Sequence, residues 1–165
     1  MSDAFAAGSE VNMSVQFLTQ EGFDKLQAEL NHLKTVRRQE VAKRLQDAID
    51  EGYRLSEDPE YEAAKNEQAF IEGRILDLEQ LLATARIIQN GRSDTVTLGS
   101  HVTIQEGEAE PEVYTIVGEA EANPRAGKVS NASPLGKALL GHKAGDNVNV
   151  AAPSGQFSVK VLKVD

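Results

Sequence analysis

The spacing of apolar residues divides the chain into two parts with different periods. Between residues 18 and 51, apolar side chains recur every three or four positions, which predicts a helix with one buried face. A second stripe, between residues 61 and 85, has nearly heptad spacing and predicts a partner helix. Two such helices joined by a short turn form an antiparallel coiled-coil hairpin, a rod about 45–50 Å long at ~1.5 Å per residue. The stripes comprise Phe23, Leu26, Leu30, Leu33, Val41, Leu45, Ala48 and Ile49 in the first helix, and Tyr61, Ala64, Gln68, Ile71, Ile75, Leu78, Leu82 and Ala85 in the second.

Residues at the ends of these stripes match helix start and stop signals. Thr19 is a suitable N-cap for the first helix, and Gly52 is a suitable terminator. Asp58 directly before Pro59 has the pattern of an N-cap followed by proline at the first helical position. Ser56 is an alternative cap in the same turn.

Beyond residue 94 the apolar period changes to two, which predicts short strands. One short helix is predicted over 134–140, because Ser133 can cap it, Pro134 suits its first position and Gly141 follows its end. We therefore predict a two-domain α+β protein. In it an antiparallel helical hairpin precedes a small, mostly antiparallel β-sheet domain with one short helix. The predicted strands are 96–98, 101–104, 112–117, 147–150 and 157–162.

The change of period also predicts the division of the chain. We expect a disordered N-terminal extension over 1–16, the hairpin over 17–88, a linker over 89–94 and the sheet domain over 95–165. The sequence has no run of about 18 apolar residues and no signal-peptide pattern, so we expect a cytoplasmic monomer without membrane contact. The absence of cysteine excludes disulfides and thiolate metal sites.

The turn between the two helices carries most of the net charge. Residues 47–62, which we call the acidic tip, contain seven acids and one base, Arg54, and so hold about two-thirds of the formal net charge of −9. Like charges held close repel one another, so a hairpin gains no stability from this composition. A bound cation is the most direct reason to gather them. The acids are Asp47, Asp50, Glu51, Glu57, Asp58, Glu60 and Glu62.

A cluster of cations precedes the acidic tip. Residues 34–44 of the first helix contain five bases and a single acid, Glu40. The bases, which we call the basic band, are Lys34, Arg37, Arg38, Lys43 and Arg44. The band has two interpretations, a solvated helix face or a surface that contacts RNA. The acidic balance of the whole chain argues against binding along a nucleic-acid backbone, which would repel it.

Several motifs in one order give the chain a resemblance to a known family. The hairpin contains LTQEG at 18–22, LKTVRR at 33–38, LSE at 55–57 followed by EYEAAK at 60–65, and EQAFIEGRI at 67–75. The second part contains SPLGKALLG at 133–141, with Gly145 and Asp146 close behind. From Phe17 to residue 165, this pattern resembles the bacterial Gre transcript-cleavage factors, closest to the GreA type.

The resemblance implies a function that depends on a partner. It implies a transcription elongation factor that binds bacterial RNA polymerase, inserts its coiled coil into the secondary channel and stimulates cleavage of backtracked RNA. Glu57, and with it Asp58, would be catalytic carboxylates that share Mg²⁺ with the polymerase near the RNA 3′ end. The chain alone would then be neither an enzyme nor the holder of a cofactor. The second domain, similar to the FKBP fold, would dock on the polymerase through Ser133, Pro134 and Leu135.

The turn departs from the family pattern. Cleavage-competent relatives have Gly-Asp-Leu-Ser-Glu, whereas this chain has one residue more and Tyr53-Arg54 where the aspartate is expected. Glu57 matches the family glutamate, and Asp58 replaces the usual asparagine. We expect Tyr53, Arg54 and Ser56 to modulate the tip, since a cation at Arg54 would repel Mg²⁺ or pair with Glu57. The alternative function is therefore a relative that occupies the channel but inhibits cleavage or does not stimulate it.

Overall fold

The computed structural model describes residues 15–50, 58–89 and 93–165. Three expectations concern residues outside these ranges: the disordered extension up to residue 14, the helix end at Gly52 and the middle of the linker. Within the described residues, no helix combines the length and the apolar content that a membrane span needs.

Two long helical segments form the hairpin. α1 (Gln20–His32), a π-helical turn (Leu33–Arg37) and α2 (Arg38–Asp50) follow one another directly and run antiparallel to α3 (Pro59–Thr84). Thr19 caps α1 as predicted, since its Oγ1 accepts a hydrogen bond from the Gly22 N–H at 3.0 Å. The helices pack through one apolar seam. Its buried members are Leu30, Val41, Ile71, Ile75 and Leu78, with Leu26, Leu33, Leu45 and Leu82 packed against them.

The π-helical turn explains an irregularity in the apolar spacing of the first helix. The stripe advances by seven residues from Leu26 to Leu33 and again from Val41 to Ala48, but by eight from Leu33 to Val41. If the helix were α-helical throughout, the extra residue between Leu33 and Val41 would turn Val41 and the residues after it by ~100° about the helix axis. The second half of the stripe would then no longer face the seam. A π-turn takes up the additional residue, so both halves of the stripe face α3.

Three members of the predicted stripes lie elsewhere. Ile49 is 48% exposed, because it follows Ala48 by one position and therefore points away from the seam. Gln68 is exposed rather than packed. Ala85 lies beyond the end of α3 and begins a strand.

A short parallel strand pair closes the base of the hairpin. β1 (Gln16–Leu18) pairs with β2 (Ala85–Ile87), so that the two ends of the hairpin are hydrogen-bonded side by side. Leu18 is fully buried there. Gln16, which the sequence analysis assigns to the extension, is part of β1. The pair ties the first and last residues of the hairpin to one another.

A five-stranded sheet with one short helix follows the hairpin, as predicted. The strand order is β5-β4-β3-β7-β6, and every neighbouring pair is antiparallel except β4 and β5. Helix α4 (Pro134–Leu139) packs against β6. The strands are β3 (His101–Glu106), β4 (Glu112–Val117), β5 (Lys128–Ser130), β6 (Asn147–Ala152) and β7 (Gly155–Val164). The predicted fold class is therefore confirmed.

Two details of the sheet differ from the prediction. The segment 96–98 is not a strand, although Val96 is buried in the core and its N–H donates to the His142 carbonyl oxygen at 2.8 Å. β5 has only three residues and pairs in parallel with β4. It is not among the predicted strands. The apolar residues at 96–98 suggested a strand because Val96 is buried. A loop residue can also fill a core position without pairing to a neighbouring strand.

Glu121 connects the sheet domain to the hairpin. The Thr19 N–H and the Thr19 Oγ1 each donate a hydrogen bond of 2.6 Å to this carboxylate. Two glycines allow the close approach: a Cβ at Gly22 would lie 2.0 Å from Glu121 Oε1, and a Cβ at Gly118 would lie 2.1 Å from the Phe17 carbonyl oxygen. A carboxylate at the N-terminus of a helix also interacts favourably with the helix dipole.

We predict that Glu121→Ala loosens the start of α1 without unfolding either part. The substitution removes both acceptors of Thr19, so the Thr19 amide should exchange with solvent at least about tenfold faster, as measured by hydrogen exchange. Glu119→Ala, an exposed acid in the same turn, is the matched control. Equal Thr19 protection in both variants would contradict the connection.

Candidate functional site

The described part of the acidic tip places carboxylates on both helices. Asp47 and Asp50 lie near the end of α2, and Asp58, Glu60 and Glu62 lie at the start of α3. The remaining tip residues of interest are outside the described ranges; these are Glu51, Tyr53, Arg54, Ser56 and Glu57. The two helix ends therefore present acids toward the same end of the rod.

Asp58 is the N-cap of α3, which confirms that prediction. Its backbone is extended, and its Oδ1 accepts a hydrogen bond from the Glu60 N–H at 2.9 Å. Pro59 occupies the first turn of the helix, where a missing N–H costs nothing. A cap of this kind uses one carboxylate oxygen, and the part of the chain that the structure describes offers no hydrogen-bond donor to Oδ2. The capped carboxylate is held in a fixed direction and still has an oxygen available.

A groove of about 880 Å³ separates the two helix ends at the acidic tip. Asp47, Asp58 and Glu60 contribute acids to its lining, and Arg44 contributes the cation. No group of three or more potential ligands is close enough to hold a metal ion among residues 15–50, 58–89 and 93–165. The described acids thus offer oxygen ligands but do not form a complete site.

The basic band lies against acids of α3. Arg38 binds Glu72 through two hydrogen bonds of 2.7 Å, from its Nε and Nη2 to the two carboxylate oxygens. Arg37 and Arg44 both pair with Glu67, one with each oxygen of that carboxylate. Lys34 pairs with Glu79. Lys43, the fifth member, is exposed and forms no ion pair with the described residues.

These ion pairs change the charge that the band presents. Hydrogen bonds from Arg44, together with the charges of Arg44 and Arg37, lower the pKa of Glu67 below 4.5. The Arg38 guanidinium likewise lowers the pKa of Glu72. Each acid therefore stays ionised and offsets part of the positive charge of the band, although Glu67 faces two arginines. The band is a face of alternating charges rather than a uniformly positive surface.

The α3 partners of the band were not recognised in the sequence. Glu67, Glu72 and Glu79 lie opposite Arg44, Arg38 and Lys34 because the hairpin is antiparallel. A further pair joins Arg74 and Glu29 at 2.7 Å; here the cation lies on α3 and the acid on α1. Pairing the two heptad stripes in antiparallel register would have placed these charges together.

The predicted docking residues lie at the start of α4. Ser133 caps the helix, since its Oγ accepts from the Gly136 N–H at 3.0 Å and donates to the Ser130 carbonyl oxygen at 2.7 Å. Pro134 is exposed, and Leu135 is half-buried against the core. Gly136 was not assigned a role, yet a Cβ there would lie 2.0 Å from the Ser130 oxygen. The tight turn at 130–136 thus holds Pro134 outward.

A cavity of about 430 Å³ lies beside Leu135. Tyr114 and Phe157 line it, and Glu106, Glu110 and Glu112 contribute to its acidic rim. The Tyr114 hydroxyl donates to Glu112 at 2.7 Å, and this hydrogen bond raises the pKa of the tyrosine. The predicted docking surface therefore combines an exposed proline, apolar groups and acids.

The fold and the tip together define a class of protein that presents carboxylates at the end of a narrow rod and holds that rod on a compact sheet domain. The family model described as "Transcription elongation factor, N-terminal" matches residues 16–87, and that described as "Transcription elongation factor, GreA/GreB, C-term" matches residues 91–165. The chain therefore belongs to the GreA/GreB family of transcription elongation factors.

Individual relatives are similar over nearly the whole chain. Transcription elongation factor GreA of Lactococcus lactis subsp. cremoris (strain SK11) is 52% identical over 151 residues, which is 90% of this chain and 96% of that protein. GreA of Limosilactobacillus fermentum is 50% identical over 150 residues, 89% of this chain and 94% of that protein. The solved structure of GreA factor homolog 1 (Gfh1) of Thermus thermophilus is 36% identical, covers 91% of this chain and 98% of its own, and superposes with a TM-score of 0.40.

We predict that the ion pairs of the hairpin make its stability depend on acid pH. Because the folded-state pKa values of Glu67 and Glu72 are lowered, their contribution is present above about pH 4.5 and is lost as pH falls through the lowered values. Glu67→Gln should lower the melting temperature by roughly 2 °C near pH 7, measured by circular dichroism. The difference from the unsubstituted protein should shrink as the pH falls through the lowered pKa of Glu67.

Glu62→Gln is the control for this measurement, since Glu62 is an exposed acid of α3 outside the described ion pairs. A loss at Glu67→Gln that is independent of pH would show that the carboxylate charge is not the cause.

Proposed function

We propose that this chain binds bacterial RNA polymerase, inserts its hairpin into the secondary channel and stimulates endonucleolytic cleavage of backtracked RNA. The observation that carries the proposal is the placement of carboxylates from two helices at one end of a rod, with the Asp58 carboxylate held in place by its capping hydrogen bond. Membership of the elongation-factor family supports the polymerase as the partner. The protein would act in the cytoplasm, as a monomer and without membrane contact.

The narrow hairpin accounts for the delivery of these acids. Two helices packed through a single seam make the thinnest helical structure that remains stable in water, and its length is set by the 26 residues of α3. The sheet domain, a five-stranded sheet with a helix, would remain outside the channel. Pro134 and Leu135 would then contact the polymerase at the channel rim.

The tip would contribute ligands rather than a complete active site. Carboxylate oxygens suit Mg²⁺, and the described acids fall short of the number that a metal site needs. On the resemblance of the turn to the family pattern, Glu57 and Asp58 would be carboxylates that complete a site whose other ligands belong to the polymerase. A second metal in such a site stabilises the attacking and leaving oxygens of an in-line displacement. The chain itself is a protein cofactor of the reaction and not an enzyme.

The basic band would line the path of the extruded RNA 3′ end. Its arginines are between 41% and 52% exposed although each is paired with an acid of α3. Lys43 has no such partner among the described residues and is the member best suited to meet a phosphate.

A second function is favoured by the sequence of the turn. Tyr53-Arg54 replaces the aspartate of cleavage-competent relatives, and a cation there weakens Mg²⁺ binding at the tip. Such a protein would occupy the channel and inhibit the polymerase, or leave cleavage unchanged.

We predict that the protein accelerates RNA cleavage in purified backtracked elongation complexes and that Glu57→Ala removes most of this effect, roughly tenfold or more. Asp58→Asn is the sharper variant, because asparagine keeps the N-cap and removes the charge. It should reduce cleavage about tenfold while α3 and polymerase affinity are unchanged. The loss of cleavage in both variants should become smaller as the Mg²⁺ concentration rises, because a higher concentration of the ion compensates for its lower affinity.

The same assay separates the two functions. Tight binding without acceleration, at every Mg²⁺ concentration, would overturn cleavage stimulation and favour the inhibitory relative. Full activity in Asp58→Asn would restrict the role of Asp58 to the helix cap.

We predict that Pro134→Arg weakens binding to core polymerase roughly tenfold, because it places a long cation at the centre of the docking turn. The hairpin should keep its helical content, measured by circular dichroism. Arg125→Ala, an exposed change in another turn of the same domain, is the control. Unchanged affinity in Pro134→Arg would refute the assignment of this turn.

A further inference from the structure

α3 has apolar residues on both of its faces. One face forms the seam through Ala64, Ile71, Ile75 and Leu78, which are all buried. On the opposite face Phe70 is 72% exposed and Leu76 is 54% exposed. Phe70 is not among the residues that form the seam, so most of its ring contributes little to the stability of the hairpin. This outer face therefore requires its own explanation.

Phe70 and Leu76 belong to a continuous strip on α3. Residues three and four positions apart on a helix are neighbours, so Asn66, Ala69, Phe70, Gly73 and Leu76 form one surface, which we call the outer strip. All five residues are exposed, and none is charged. Glu62 and Asp77 bound the strip along the helix axis.

Most charges beside the outer strip pair across the hairpin, whereas Lys65, which borders the strip at Ala69, lies over the Tyr61 ring at 5.5 Å. Glu67 and Glu72 pair with arginines of α2 and of the π-turn, and Arg74 pairs with Glu29 of α1. These partners all lie on the other side of α3. The strip is thus an uncharged surface in a protein in which 26% of the residues are charged.

Gly73 gives an independent indication of contact. Glycine inside a helix is unfavourable relative to alanine, and here it stands in the middle of a 26-residue helix. A Cβ built at Gly73 meets no atom within 4 Å, so nothing in the described chain requires a glycine there. A residue without a side chain allows the backbone of another molecule to approach the helix closely.

We propose that the outer strip is a contact surface for an uncharged, apolar patch of the polymerase channel wall, with the Phe70 ring as its anchor and Gly73 as the point of closest approach. The inference rests on the proposed function, since it assigns a partner surface to the inserted hairpin. RNA is disfavoured as the occupant because the strip itself carries no cation and only one, Lys65, borders it, which is too few to hold a phosphate backbone.

The size of the strip distinguishes the polymerase from a second copy of the chain. A stable interface takes about 20–30 residues from each partner, and the outer strip offers five. It is too small to hold two chains together by itself. It is large enough to add affinity for a partner that already holds the chain at the sheet domain and at the tip.

The test is the affinity of the full chain for core bacterial RNA polymerase, measured by competition with a fluorescently labelled copy. Phe70→Ala should raise the Kd roughly tenfold, as expected of an aromatic anchor. Val113→Ala, which truncates a side chain that is 59% exposed on the sheet domain, should leave the Kd unchanged.

Gly73→Ala provides a second readout that a purely structural role would not produce. Alanine favours the helix, so the melting temperature should rise by about 2–4 °C. The Kd should nevertheless rise several-fold, because the added methyl group blocks the close approach. A more stable protein that binds less well is the expected signature.

Other outcomes contradict the proposal in distinguishable ways. If the unsubstituted protein binds polymerase and Phe70→Ala binds equally well, the outer strip is not a polymerase contact, although the proposed function stands. If light scattering shows dimers that dissociate in Phe70→Ala, the occupant is a second copy. If the unsubstituted protein does not bind polymerase, the proposed function fails together with this inference.

Discussion

The single apolar seam between α1–α2 and α3 is the contact on which the structure depends. A two-helix rod has no second layer, so the five buried residues of the seam and the leucines packed against them supply most of its hydrophobic stabilisation. Ion pairs border the seam, but exposed pairs contribute little free energy. Their effect is to favour one register of the two helices, because a shifted register would place like charges together. Stability and alignment therefore come from different sets of residues.

The base and the end of the rod differ in how they are held. At the base, β1 pairs with β2 and Glu121 binds Thr19, so three separate chain segments constrain one another. Toward the end, the described parts of α2 and α3 pack mainly against each other, and the acids there repel. The described connection between the sheet domain and the tip therefore runs from Glu121 through Thr19 into α1–α2, that is, through helices rather than through a loop.

Long-period features could be predicted from the sequence, and short or non-local ones could not. The stripes of α1–α2 and α3, and the caps at Thr19, Asp58 and Ser133, were predicted because each depends on neighbours within a few residues. β1, β2 and β5 have three residues each, too few to show a period of two. Glu121 lies 102 residues from Thr19, and no local pattern connects them. At the tip the sequence identified the acids, whereas the pairing of the basic band with α3 required the register of the folded hairpin.

The π-turn at Leu33–Arg37 determines where the end of the rod faces. Each residue of an α-helix turns the chain by ~100°, so one residue more or less at this point rotates all of α2 about its axis. The acids that end α2 lie about 20 Å beyond the turn, at ~1.5 Å per residue. The direction in which these acids point about the helix axis is thus set near the middle of the helical segment, about 20 Å away from them. Within the family, a single inserted or deleted residue in this turn would re-aim the carboxylates while leaving the length of the rod almost unchanged.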